Sequence, residues 1–211
     1  DIRTPLSMVL GYSGMMEEDP ALPEETRAQS KIITENTLRL KNLIENLNLA
    51  HNLQYQLMPL SLQPIRLSNI ARKAMTECVN TGILQNHPYE IVIEDETASV
   101  LLDETLFLRA LINLISNSAK HNREGCSITV AVPPARDGKA CVVISDTGAG
   151  IPEDIIERLN QQDYFSAWTQ QSHGLGLIIA KSIVEVHHGQ LAIESENGKG
   201  TMITIQVPLH K

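Results

Sequence analysis

The sequence predicts an α+β chain, an N-terminal helical hairpin followed by a two-layer α/β sandwich, and three observations predict it. Apolar residues recur at helical spacing along residues 33–57, at Ile33, Leu40, Leu43, Ile44, Leu47, Ala50 and Leu57. The composition changes abruptly at "MPLSLQPIRLS", where two prolines interrupt the helical pattern. Beyond that point short β-type runs interleave with helical ones, the pattern of helices packed on a mixed sheet. The expected boundary places the hairpin at 1–58 and the sandwich at 59–211.

The first helix is expected over 1–18, with Ile2, Leu6, Val9 and Met16 on one face and Leu10 beside it. Pro5 lies near its start; in a helix continuing upstream it would cost roughly 3 kcal/mol and a kink. "EEDPALPEE" breaks the pattern with a bend, and a longer helix runs from about Pro23 to Leu57, with Glu24 and Glu25 favouring its N-terminus. Two such helices bury little surface alone, so a homodimer forming a four-helix bundle is the expected solution. A strand follows near 59–64, then a helix of about 69–81 capped by Ser68. Strands are expected at 89–94 and 98–102, with Asp103 capping a helix of 104–120. Strands at 126–132 and 139–145 lead into a turn-rich piece over 146–173. A helix at 175–187 and strands at 190–195 and 201–208 complete the sandwich, the last two joined by the hairpin signal "NGKG".

Apolar residues make up 42% of the 211, enough for a real core, and aromatics only 3%, so that core must be aliphatic. A net charge of −8 argues against a nucleic-acid role, which needs a basic face. Cys78, Cys126 and Cys141 are scattered and odd in number, without a CxxC, as expected of reduced thiols. There is no signal peptide and no apolar run of the ~18 residues a membrane span needs.

Three stretches carry chemistry. In "NLISNSAKHN", Asn113, Asn117 and Lys120 stand at i, i+4 and i+7 on one helix face. Amide oxygens suit the hard-ligand shell of Mg²⁺, and the ammonium neutralises phosphate charge. In "VVISDTGAGIP" an apolar strand delivers Asp146 at its end, where a carboxylate accepts from an exocyclic amine such as that of adenine. Gly148 and Gly150 are expected to take positive φ and let the backbone approach a ligand. In "HGLGLIIAKSIVEVHHGQ", Gly174 and Gly176 open a helix whose free N–H groups form an anion site. Each stretch alone has an ordinary reading: a solvated helix face, a common turn, a chance pair of glycines. Their joint occurrence in this order does not.

Together they resemble the catalytic core of a sensor histidine kinase. The Asn-rich helix is similar to the family's N box, DTGAGIP to its G1 box, HGLGL to its G2 box, and "GKGTMITIQVP" to its closing strand. "DIRTPL" resembles the H box, whose phosphorylated histidine would stand immediately before Asp1 and is not among these residues. The resemblance spans essentially the whole chain. It implies a dimerising phospho-acceptor hairpin and a Bergerat-type ATP-binding sandwich, with ATP and Mg²⁺ as cofactors. Asn117 would hold Mg²⁺ on ATP, Asn113 would support it or contact phosphate, and Lys120 would contact phosphate. Asp146 would read the adenine amine, with His121, Ile151, Leu175, Leu177 and Thr201 completing the nucleotide site. Gly148 and Gly150 would hinge a lid, and Gly174 and Gly176 would line the phosphate path. Asp1 would act as general base or orienter for the attacking imidazole, and Thr4 would position water for dephosphorylating a partner regulator. The implied partners are a second copy of the chain and a response-regulator receiver domain; the implied place is the cytoplasmic part of a membrane-bound bacterial sensor.

The departures are specific. His121 stands where the family often has tyrosine, which makes stacking weaker and pH-sensitive. The lid, about 152–173, has Arg158 as its only basic residue, and its Phe165 and Trp168 either pack it down or fill core. His187 and His188 are expected to be helix-dipole partners. Two rivals stand beside the kinase. A water-using ATPase of the same fold places a glutamate where this chain has Asn113, and a carboxamide cannot take the proton. A degenerate module that binds nucleotide and signals without phosphotransfer is the alternative.

Overall fold

The computed structural model describes residues 2–55, 57–153, 156 and 175–210, and the side chains of Gln54 and Leu175 lie outside the description. The chain divides into two compact units at His51/Asn52.

The first unit is a helical hairpin of α1 (Arg3–Glu18) and the body of α2 (Glu24–Gln54). Asp19 shapes the bend: its Oδ1 accepts from the Ala21 N–H at 2.8 Å and its carbonyl from the Leu22 N–H. The seam between the helices is polar and small. Ser30 Oγ donates to the Ser13 carbonyl at 2.7 Å, and Thr34 Oγ1 donates to Ser13 Oγ at 2.8 Å. Many of the hairpin's large apolar residues are exposed, Met8, Val9, Tyr12, Met15, Met16, Ile32, Ile33, Leu38 and Leu40 among them, while Leu49 is buried. α2 ends at Gln54, before the expected Leu57, which is itself exposed.

The second unit holds α3 (Leu67–Asn80), α4 (Glu104–Lys120) and α5 (Leu175–Val186) with two sheets. β1 (Leu62–Arg66) pairs antiparallel with β3 (Ser99–Asp103) as a separate ribbon. Pro64, opposite Leu101, falls inside β1 instead of bracketing it; a two-stranded ribbon leaves a free edge where its missing N–H costs nothing. The main sheet runs β2 (Tyr89–Ile93), β4 (Ile128–Val132), β5 (Lys139–Asp146), β7 (Gly200–Pro208), β6 (Gln190–Glu196). β2 and β4 are parallel; the remaining pairs are antiparallel. Strict alternation of burial along β5 gives the sheet one core face, carrying Val142 and Ile144, and α4 packs between α3 and α5 over it. Phe107, Leu111, Leu114 and Ile115 of α4 and Ile179 and Ile183 of α5 are fully buried, an aliphatic core as the composition requires.

Asp103 caps α4 as expected, its Oδ1 accepting from the Leu106 N–H at 3.1 Å. Ser68 does not cap α3, which begins one residue earlier at Leu67 with extended Arg66 before it. The end of α5 also departs from expectation. His188 takes φ +57 and its N–H donates to the Glu185 carbonyl, while the Gly189 N–H donates to Val184, a Schellman closure with a histidine where glycine is usual. His187 is buried. Its Nε2 accepts from the Asp103 N–H at 2.9 Å, so its proton sits on Nδ1, which donates to the Ile183 carbonyl at 2.6 Å. Burial holds this imidazole below its ordinary value, so it is a neutral bridge between two helix ends and not a charged dipole partner.

Candidate nucleotide-binding site

The last residue of β5, Asp146, stands opposite Ile128 of β4 and Thr201 of β7, so three strands fix its position. Beside it opens a cavity of about 270 Å³ lined by Asn117, Ser118, His121, Asn122, Asp146, Gly150, Ile151, Pro152, Leu177, Thr201 and Ile203. One wall is the last turn of α4, a second is the start of α5, and the floor is the strand ends.

Asp146 is 9% exposed and its carboxylate is held from two directions. Ser118 Oγ donates to Oδ2 at 2.9 Å, and the Gly148 N–H donates to Oδ1 at 3.0 Å. An ionised carboxylate only accepts, so the spare lone pairs at this spot call for a donor on the ligand. The turn after Asp146 is pinned on both flanks. Asn122 Oδ1 accepts from the Ala149 N–H at 2.8 Å, and Asn122 Nδ2 donates to the Ser118 carbonyl at 2.9 Å. On the other flank Ser195 Oγ accepts from the Ile151 N–H at 2.7 Å, and the Ala149 carbonyl accepts from Gly198. Gly150 takes φ +81, as expected of it. Gly148 does not take a left-handed φ. It is glycine for want of room, since a Cβ there would stand 1.8 Å from Asn122 Oδ1.

Asn117 reaches across to α5: a Cβ on Gly176 would lie 3.1 Å from its carboxamide nitrogen. Asn113, one turn earlier, has a buried Nδ2 with no hydrogen-bond partner among the described residues. A buried amide donor without a partner has an unused bond to offer. Asn117, His121, Asp146, Gly150, Ile151, Leu177 and Thr201 line the cavity; Asn113, Lys120, Gly148 and Gly176 do not. Thr4 lies exposed on α1 in the other unit. Asp1 and Gly174 are outside the described residues, as are Arg158, Phe165, Trp168 and the side chain of Leu175.

Ser118, Asn122 and Ser195 were not singled out in the sequence. Ser118 and Asn122 repeat the i, i+4 relation of Asn113 and Asn117 further along the chain, and that spacing was the available signal. Among the described residues no cluster of His, Cys, Asp and Glu is built to hold a metal, and the three cysteines are free. Burial pushes the Cys78 thiol up to about 11, far from a reactive thiolate.

Residues 102–211 match the family model described as histidine kinase-, DNA gyrase B-, and HSP90-like ATPase, and residues 1–54 match the His kinase A (phospho-acceptor) domain. Sensor histidine kinase YvrG of Bacillus subtilis is 31% identical over 210 residues, covering 97% of this chain and 36% of the relative. The chain spans 22 to 36% of the length of the curated relatives YvrG, TmoS and DivL. Among solved structures, full-length ShkA in complex with AMPPNP superposes with TM-score 0.80 at 21% identity, covering 100% of this chain and 44% of that one. Histidine kinase ThkA in complex with response regulator protein TrrA superposes with TM-score 0.71 at 22% identity, covering 99% of this chain and 59% of that one. Among the described residues no helix is long and apolar enough to cross a membrane. With the hairpin matched by the phospho-acceptor domain and the sandwich by the ATPase domain, this chain belongs to the histidine kinases.

Proposed function

We infer that this chain is the ATP-dependent catalytic core of a two-component sensor, with a hairpin domain over 1–58 and a catalytic domain over 59–211. The observation that carries the reading is Asp146, an acceptor-only carboxylate in a cavity that Asn117 also lines. The adenine amine donates to Asp146, and the phosphates run along the end of α4 toward the amino end of α5, a helix start that suits an anion. Lys120 screens phosphate charge, and His121, Ile151, Leu177 and Thr201 close around the base and ribose. Asn117 would hold a magnesium ion carried in by the nucleotide, offering it the hard carboxamide oxygen that such an ion prefers. Bound there, the ion would neutralise the charge that develops on the transferring phosphoryl group.

The phospho-acceptor is a histidine immediately before Asp1. Asp1 accepts a hydrogen bond from one imidazole nitrogen and leaves the other nucleophilic. That nitrogen attacks the γ-phosphorus; the bond from phosphorus to the ADP oxygen breaks as the N–P bond forms. The imidazolium proton then passes toward Asp1. In the next step the N–P bond breaks and the phosphoryl group moves to an aspartate oxygen of a receiver domain, the class of partner seen in the ThkA–TrrA complex. The AMPPNP carried by the ShkA structure supports the nucleotide part of the reading. The hairpin's outward apolar face supports a homodimer. The sensor's membrane attachment, where present, belongs to other segments.

Calorimetric titration of the purified chain with ATP, with and without Mg²⁺, tests the reading. Asp146→Asn should weaken ATP binding about tenfold to a hundredfold, the size of a hydrogen bond to a charged group. Asn117→Ala should abolish the strengthening of ATP binding by Mg²⁺. If neither substitution changes the titration, the assignment of the site is wrong. We assign Thr4 the orienting of water against the regulator's acyl phosphate. Thr4→Ala should slow receiver dephosphorylation while leaving ATP affinity unchanged, and an unaltered dephosphorylation rate would remove that role.

A further inference from the structure

We propose that Ser118 is a positioning residue that sets the base selectivity of the cleft, by holding the Asp146 carboxylate in the orientation that takes an amino group and turns away an oxo group. The inference deepens the nucleotide-binding reading and rests on it.

A strand-end aspartate is rotationally loose, because the torsion that turns a carboxylate has broad wells. The Gly148 N–H bond to Oδ1 does not remedy this, since it spans two residues and moves with the turn that holds it. The Ser118 bond comes from elsewhere. Ser118 is 6% exposed, lies 28 positions away in sequence, and stands on α4 beside the fully buried Leu114 and Ile115. Its backbone is tied in turn, the Ser118 carbonyl accepting from Asn122 Nδ2, whose Oδ1 holds the Ala149 N–H. The carboxylate is therefore fixed against the helix core as well as against its own loop.

The direction of the Ser118 bond matters as much as its presence. An ionised carboxylate cannot donate, so the hydroxyl proton is committed to Oδ2. What Ser118 turns to the cavity is then lone pairs, like Asp146 itself. Both groups lining this part of the wall accept, and both belong to the cavity. A purine with an amino group at C6 gains a bond here. A purine with a C6 oxygen, as in inosine nucleotides, meets acceptor with acceptor and leaves the wall unpaired. Without the hydroxyl the carboxylate turns, and the penalty against the oxo base shrinks with the reward for the amino base.

The test is calorimetric titration with Mg-ATP and Mg-ITP. The unaltered chain should prefer ATP by about tenfold or more, the scale of one hydrogen bond to a charged acceptor. Ser118→Ala should lower ATP affinity about tenfold, change ITP affinity little, and bring the ATP-to-ITP ratio near unity; Ser118→Thr, which keeps the hydroxyl, should restore it. In an Asp146→Asn background Ser118→Ala should cost nothing further, because the partner it orients is gone. A ratio unchanged by Ser118→Ala in a chain that discriminates, or an ATP loss that adds in full to that of Asp146→Asn, overturns the proposal and leaves the nucleotide site standing. Failure of the unaltered chain to bind either nucleotide overturns both.

Discussion

Gly148 can carry only a hydrogen because the Asn122 carboxamide occupies the place of its side chain. That carboxamide is not free to swing away, since its oxygen holds Ala149 and its nitrogen holds Ser118. Gly148→Ala should therefore break both bonds and destabilise the sandwich by about 1–3 kcal/mol. In an Asn122→Ala background the same substitution should cost far less, and urea unfolding of the four variants measures the difference. Full additivity would show that the strain lies elsewhere. At this scale the sequence was half legible. That Asp146 and Asn117 line one cavity was legible only from the joint occurrence of the three stretches, since each alone has an ordinary reading. Gly148 was expected to serve its φ angle; its real constraint comes from a side chain 26 positions earlier, and no local rule sees that far. Ser118 and Ser195 were passed over for the same reason: a serine's partner is decided by how the turn folds back, not by its neighbours in sequence.

At the level of elements, α4 and α5 are joined at opposite ends by one neutral imidazole. His187 sits at the end of α5, accepts from the backbone at the start of α4, and meets Phe107 edge-on with ring centroids 5.8 Å apart. Desolvation holds its folded-state value below 6.5, with the nearby Asp103 charge opposing only in part. Unfolded, the same imidazole titrates near 6.5, so in acid the unfolded chain takes up a proton that the folded chain refuses. Stability should be level above about pH 6.5 and fall as pH drops below it, toward the depressed folded value. Denaturation midpoints measured from pH 8 down to 5 should show this slope, and His187→Gln, though less stable overall, should lose it. A slope that survives in His187→Gln assigns the effect to other groups. Asp95, held low chiefly by the Thr97 N–H, titrates in a lower window and does not contribute here. Most elements were legible because hydrophobic period and caps are local: α4 with its Asp103 cap fell where expected. The misplacements, at Ser68 and along β1, came where pairing with another strand decided the boundary.

In the whole molecule, the hairpin shows where an unmet requirement lies. Hydroxyl side chains bond across its internal seam, while many of its large apolar residues, Ile33 and Leu40 among them, are exposed. Burying one such side chain is worth roughly 1.5–3 kcal/mol, so this face is costly unless a second copy covers it. Sedimentation should find a dimer at micromolar concentration, and Ile33→Glu with Leu40→Glu should shift it to monomer while leaving ATP affinity intact. A monomer in the unaltered chain would send the search to another partner for that face. The two-part organisation was legible because helical period and composition both change near residue 58. The order of the sheet was not, since no pattern within a strand says which strand lies beside it.

That order bears on how the molecule is made. β7, the latest of the described strands to leave the ribosome, lies between β5 and β6 and supplies both with their partner. Until residues 200–208 emerge, β5 and β6 have open edges and Asp146 lacks the Thr201 neighbour that helps frame its ligand. The nascent sandwich stays incomplete through nearly all of its translation, and the stretch that closes it also finishes the cleft.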